Sequence, residues 1–356
     1  MAREVFKVSG VRKIRKKELI PFTRQMASMM NAGMSILASV STLEEQSPTP
    51  SFRQVLRQLR DVIESGSPFS KGLSLFPQIF DDMYVNMVAA GEESGQFAPV
   101  LKRLADMLDS SARLTRKVKS ALTYPIVVLV LSFLIAAGLI TFVVPVFKDL
   151  FAGFDRDLPF LTQLLVDTSN FTREWWYIIL GVIVAVIVVF RKWHATESGL
   201  YKVDEMILKL PVFGGLIQKV AISRFCRLFS HMMTSGVPIL DALEIVSQSL
   251  GNSVLEKSFL SARDGVEQGD NLSDSLEGKP FLPVLMIRMI AAGEKSGRID
   301  EMLISVADTY DDEVEVTLET LTSLMEPFLI VSMGIIIGTI VIAMYLPIFQ
   351  LGSVVA

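Results

Sequence analysis

Two carboxylates occupy the same place in two copies of one motif. Ala89–Gly95 reads AAGEESG and Ala291–Gly297 reads AAGEKSG, which sets Glu92 beside Gly91, Ser94 and Gly95, and Glu294 beside Gly293, Ser296 and Gly297. Ala-Ala-Gly at a helix end lets another backbone approach closely, and Ser-Gly forms a turn that can cap the next helix, so a helical hairpin accounts for the pattern. The functional addition is a carboxylate held at a turn in both copies, able to meet a partner or a basic residue of the facing module. On that reading all eight residues are partner-binding candidates.

Other chemistry is sparse. The stretch from Asp300 to Glu326 carries nine carboxylates and no lysine or arginine. Asp308, Asp311 and Asp312 lack the loop spacing of a calcium-binding hand, so no metal site is assigned. A single cysteine, Cys226, excludes an internal disulfide, and two histidines, His194 and His231, leave little for a histidine-based metal centre. The sequence holds no phosphate-binding loop, nucleophile elbow, zinc-protease helix or dinucleotide fingerprint. No catalytic residue, cofactor or enzymatic activity is therefore expected, and ATP-driven work falls to another protein.

The elements that carry the motif are duplicated as well. Gly91 to Gly293 is a step of 202 residues, and the same step relates Pro125 to Pro327, Pro145 to Pro347, Leu101 to Leu303 and Asp106 to Asp308. Upstream, Phe22–Leu37 matches Phe225–Leu240 with a step one residue longer. Phe22, Met26, Met29 and Met30 fall on one helical stripe and Gly33 follows where a left-handed cap belongs. In the second copy Gly236 stops the helix and Pro238 opens the first turn of the next. Glycine and proline punctuation divides each module into about six short helices, with no alternating strand pattern.

Three apolar runs approach the ~20 residues that a membrane-crossing helix needs: Pro125–Pro145, Trp175/Trp176 to Phe190, and Phe328–Leu346. None contains an ionisable side chain apart from tyrosine, which argues against ion-coupled transport through the chain. Small residues four apart, Gly334/Gly338, Gly181/Ala185 and Ser132/Ala136, suit close helix packing, and Gly334 and Gly338 are the helix-association candidates. Arg113, Arg116, Lys117 and Lys119 precede the first span, and Arg191, Lys192, Lys202 and Lys209 follow the second. The positive-inside rule then puts both modules in the cytoplasm. The basic stretch before span one and the acidic stretch before span three invite pairing near the membrane. With 51% hydrophobic and 20% charged residues, the composition suits a membrane protein with large soluble parts. The basic, polar start carries no cleavable signal, so insertion is expected to use the internal spans.

The order of module, span, loop, span, module and span, with AAGE-x-SG in both modules and MM-x-x-G-x-x-I-L upstream, resembles the inner-membrane platform proteins. These are protein F of type II secretion and the platform protein of type IV pilus assembly, and the resemblance covers Leu19 to Gln350. The expected fold is all-α, a polytopic membrane protein with three transmembrane helices and two homologous cytoplasmic helical-bundle modules. Its parts are a basic lead (1–18), first module (19–123), span (124–147), external loop (148–174), span (175–193), second module (194–325), span (326–347) and external tail (348–356). The resemblance implies a bacterial inner-membrane location with a cytoplasmic N-terminus. It also implies contact with a secretion or pilus assembly ATPase, with pilins or pseudopilins, with other inner-membrane components of the machine and with further copies of the chain, and no nucleic-acid partner. A membrane scaffold or receptor of another system is the alternative, with a transporter further behind.

Overall fold

A computed structural model describes residues 16–143 and 159–355, so the basic lead up to Arg15 and the loop residues 144–158 lie outside the described residues. Among the described residues the fold is all helix, with no strand. The first module holds α1 (Lys16–Asn31), α2 (Ile36–Gln46), α3 (Pro50–Glu64), α4 (Phe69–Leu73), α5 (Asp82–Glu93) and the first part of α6 (Phe97–Gly138), which closes on a five-residue π-helical turn, Leu139–Val143. After α7 (Phe160–His194) and α8 (Glu197–Lys209), the second module repeats the series. It holds α9 (Phe213–Thr234), α10 (Ile239–Gln248), α11 (Ser253–Glu267), α12 (Leu272–Leu276), α13 (Val284–Ser296) and the first part of α14 (Ile299–Val355).

The apolar stripes select what is buried. Phe22 and Met26 are buried on α1, and Phe22 meets Phe52 edge-on at 5.5 Å between ring centres. The counterpart Phe225 stacks on Phe259 at 3.6 Å and on Phe229 at 5.3 Å. Gly33 ends α1 at φ +84° and Gly236 ends α9 at φ +85°, the backbone that a left-handed cap requires. Pro238 stands one residue earlier than expected, as the N-cap of α10. The duplication also exchanges a buried polar pair. The Thr23 and Tyr84 hydroxyls lie 3.0 Å apart in the first module, whereas the matching positions, Cys226 and Met286, are buried sulfur side chains.

Backbone contacts divide the chain into two compact units: residues up to Arg116 with Asp204–Val314, and Lys117–Val203 with Glu315–Ala356. The first unit contains the bulk of both modules. The second contains the membrane-type segments, and among the described residues three helices are long and apolar enough to cross a membrane. Their surfaces are apolar and open, with Phe133, Val189 and Phe328 each about two-thirds or more exposed, as lipid-facing positions must be.

Two helices run beyond the membrane-type segments read in the sequence. Helix α7 begins at Phe160, so the second half of the segment read as an external loop is helical. Thr162, Val166 and Ser169 make a buried stripe at i, i+4 and i+7, and the Thr162 hydroxyl donates to the Ala343 carbonyl of α14. Because two of these three side chains are polar, hydropathy did not reveal the stripe. Helix α14 continues through Val355, into the segment read as a tail.

Candidate functional site

The motif closes α5 in one module and α13 in the other, and both glutamates turn inward. Glu92 Oε1 accepts from the Phe69 amide at 2.7 Å and Oε2 from the Ser70 amide at 2.9 Å. Glu294 repeats this with the amides of Leu272 at 2.6 Å and Ser273 at 3.2 Å, and also accepts from the Ser273 hydroxyl. These amides open the short helices α4 and α12, whose local sequence supplies no cap. Pro68 has no capping side chain, and the Asn271 amide is turned to Asp274 at 3.1 Å. A helix start leaves unpaired N–H groups and a partial positive charge, so a carboxylate from another helix satisfies both.

The other motif residues complete the hairpin. A Cβ on Gly293 would stand 2.7 Å from the Ile299 Cα, and one on Gly91 would stand 3.1 Å from the Val100 side chain. Gly95 and Gly297 turn the chain at φ +69° and +68°. The hydroxyls of Ser94 and Ser296 donate to the carbonyls of Ala90 and Ala292 at 2.7 and 2.8 Å. Both oxygens of each glutamate are thus engaged inside the module. Glu92 and Glu294 are half-buried, and the exposed part of the motif is its turn, Ser94–Gly95 and Ser296–Gly297.

A second duplicated feature was missed in the sequence. Arg24 pairs with Asp109 at 2.9 Å, and Arg227 pairs with Asp311 at 2.6 Å and with Asp308 at 2.9 Å, while Ser223 donates to Asp311. Arg24 to Arg227 and Asp109 to Asp311 keep the repeat steps, which was the signal available. Arg227 therefore occupies Asp308 and Asp311, two of the three carboxylates considered for a cation, and among the described residues no three acidic, histidine or cysteine side chains are grouped to hold a metal ion. The basic and acidic stretches before the spans do meet, through Lys117 and Glu315 at 2.8 Å, both about half exposed.

The two modules touch along a seam in which α5 and α6 of the first face α9 and α10 of the second. Arg103 Nη1 donates to the Thr234 carbonyl at 2.8 Å, at the C-terminal end of α9. Burial, and then the nearby Arg227 and Arg103 guanidinium groups, lower the His231 pKa and keep the ring neutral. Arg224 lines a cavity of about 230 Å³ together with Asp81, Gln78, Ser111 and Ser249, and its Nε has no hydrogen-bond partner. Burial pushes the Cys226 thiol up, away from thiolate chemistry.

Of the small-residue pairs, Ser132 and Ala136 are engaged within the chain, the Ser132 hydroxyl lying 3.0 Å from the Met333 sulfur and Ala136 being buried. Among the described residues, a Cβ on Gly334 or Gly338 would meet nothing within 4 Å, which leaves room beside both glycines.

Comparison with known proteins converges on one family. The family model for type II secretion system protein F matches twice, over residues 22–145 and 225–347, so each copy takes in one module and the span that follows it. The chain is 38% identical to the type IV pilus assembly protein PilC of Pseudomonas aeruginosa, covering 97% of this chain and 92% of that relative. It is 39% identical to PilC of Thermus thermophilus over 94% of this chain and 82% of the relative. Type II secretion system protein F of Vibrio cholerae is 32% identical over 97% of this chain and 85% of the relative. With two modules in register, each running into a membrane-type helix, the chain belongs to the type II secretion system protein F family, which includes the type IV pilus assembly proteins PilC.

Proposed function

We propose that this chain is an inner-membrane platform protein that couples a cytoplasmic assembly ATPase to the building of a pilin or pseudopilin filament. The observation that carries the reading is the helix that leaves each motif. Immediately after the Gly95 turn α6 runs 42 residues, and after the Gly297 turn α14 runs 57, each from module sequence into apolar membrane sequence. Each helix joins the motif turn to the membrane segment in one element, with Pro125 inside α6 as a point of bending. Force applied near Ser94–Gly95 or Ser296–Gly297 is then delivered into the bilayer, where filament subunits are held before assembly. No nucleotide site is needed in the chain itself. A type IV pilus is favoured over a secretion pseudopilus by the somewhat higher identity to pilus assembly relatives, 33–39% against 29–32%.

In this reading both modules and the N-terminus are cytoplasmic, the segment between the first two spans is external, and the chain contacts other machine components and further copies of itself. Single cysteines in a Cys226→Ala background test the topology. Asp155→Cys should react with an impermeant thiol reagent applied outside the inner membrane, and Ser51→Cys and Ser253→Cys should not. The opposite pattern would invert the topology. Deleting the gene tests the role: loss of surface pili with normal exoprotein secretion supports the pilus reading, and the reverse selects secretion.

A further inference from the structure

The seam between the modules is not reciprocal. The first module offers α5 and α6, with Met83, Met107 and Leu114, to α9 and α10 of the second, with Arg224, Arg227 and Leu228. Were the modules related by a two-fold axis, the equivalent faces would also meet. Arg103 with Thr234 would then recur as Ser305 with Asn31. Both of these are exposed instead. Leu285, the repeat counterpart of the buried Met83, is 45% exposed, and its neighbour Val284 is 64% exposed. The chain therefore uses one head-to-tail contact and leaves one copy of each face open: α1 and α2 on the first module, α13 and α14 on the second.

We propose that a second copy of this chain docks head-to-tail on these faces, placing its α1 face (Arg24, Gln25, Ser28, Asn31) against the α13/α14 face (Leu285, Ser305, Thr309, Asp312) as the two modules meet inside one chain. The occupant follows from continuity with a contact the sequence already makes, and from charge. The α14 face lies in the stretch with nine carboxylates and no cation, while α1 carries Lys16, Lys17 and Arg24 and follows Arg12, Lys13 and Arg15. Asp312 replaces Ser110, which lines the seam with Arg227, so it would face Arg24 of the neighbouring copy. Residue exchange also sets the strength. Met107 and Leu228 become Thr309 and Gln25, so the contact between copies is wetter and more electrostatic than the one within a chain, as suits a separable assembly. With both modules on one side of the bilayer, a heterologous contact closes into a ring or runs as a row in the membrane plane. This gives the self-association in the proposed function a defined surface, and its test involves neither ATPase nor filament.

The test co-expresses two differently tagged full-length chains in a Cys226→Ala background, one with Asn31→Cys and the other with Ser305→Cys, and treats membranes with a short bifunctional thiol reagent. A chain carrying Arg103→Cys and Thr234→Cys supplies the control for reactivity within one molecule. The mixed pair should give a product with both tags, about fivefold or more above either like-with-like pair, as head-to-tail contact requires. Asp312→Lys should lower that yield about threefold or more, and adding Gln25→Glu should restore it. Like-with-like products matching the mixed pair would mean a two-fold contact and overturn the proposal. So would absence of the mixed product while the control reacts, whether or not the two tags copurify.

Discussion

Glu92 and Phe69 lie at opposite ends of a 2.7 Å hydrogen bond, and the same bond joins Glu294 to Leu272 at 2.6 Å in the other half of the chain. A carboxylate reaching back 23 or 22 residues to start a five-residue helix is a long-range cap, and the duplication has kept it twice. Replacing either glutamate with alanine should cost about 1–3 kcal/mol, since it leaves two amides of a helix start unpaired. Glutamine, which keeps one acceptor but loses the charge, should cost about half of that. Thermal unfolding of the purified full-length protein reads both. A Glu92→Ala chain as stable as wild type would show the cap to be dispensable. Lysine substitutions at Glu92 and Glu294 should impair filament assembly only to the extent that they destabilise the modules. Impaired assembly with unchanged melting would return the glutamates to a direct partner role.

The two duplicated ion pairs should differ in weight. Arg227 is 17% exposed and holds Asp311 together with Asp308, whereas Arg24 is 59% exposed with Asp109 as its partner at 2.9 Å. Asp311→Ala should cost about 1.5–3 kcal/mol because it also strips the Ser223 hydroxyl of its acceptor. Asp109→Ala, whose partners Arg24, Arg113 and Arg116 are all 59–64% exposed and screened by solvent, should cost less than about 1 kcal/mol. Chemical denaturation of each variant checks the ranking, and equal costs would contradict it.

The duplication, the three spans and the glycine stops at Gly33 and Gly236 were legible in the sequence because each is a local or periodic signal. What Glu92 does was not, since the amides it caps are contributed by a helix that only the tertiary fold brings near. The helical start of α7 was hidden for a related reason, as Thr162 and Ser169 are buried polar residues on a stripe that hydropathy scores as surface. Arg24, Asp109, Arg227 and Asp311 could have been read as charges conserved across the repeat. Their pairing rests on helix packing that spacing alone does not give. The seam was the least visible, because Arg103 meets a backbone carbonyl and Arg224 faces a cavity, contacts that leave no complementary residue type to find.

His231 predicts a pH dependence. Its pKa in the folded protein is lowered, first by burial and then by Arg227 and Arg103, with Asp106 opposing. The unfolded chain therefore binds this proton more readily, and stability falls as pH drops through the unfolded histidine value of about 6.5. His231→Gln should flatten the loss of stability between about pH 7.5 and 5.5 relative to wild type. Parallel denaturation curves at the two pH values measure this. An unchanged slope would mean that the ring is not held neutral.

Among the described residues, a Cβ added at Gly334 or Gly338 of α14 would meet nothing within 4 Å. Replacing both with leucine should leave the fold of one chain intact and weaken association between copies, by loss of close helix approach. Detergent-phase mass measurement reads the result, and an unchanged mass distribution would assign this stripe to lipid.

The most direct test of the central claim is capture of the assembly ATPase. Tagged full-length chain, purified gently from membranes that also contain a hexameric pilus or secretion ATPase, should retain that ATPase at a stoichiometric level. Removing the second module while keeping the first two spans should reduce retention, provided the truncated chain still inserts. A full-length, folded, membrane-inserted chain that retains no ATPase, in cells where filaments still assemble, would contradict the account and leave a scaffold with another task.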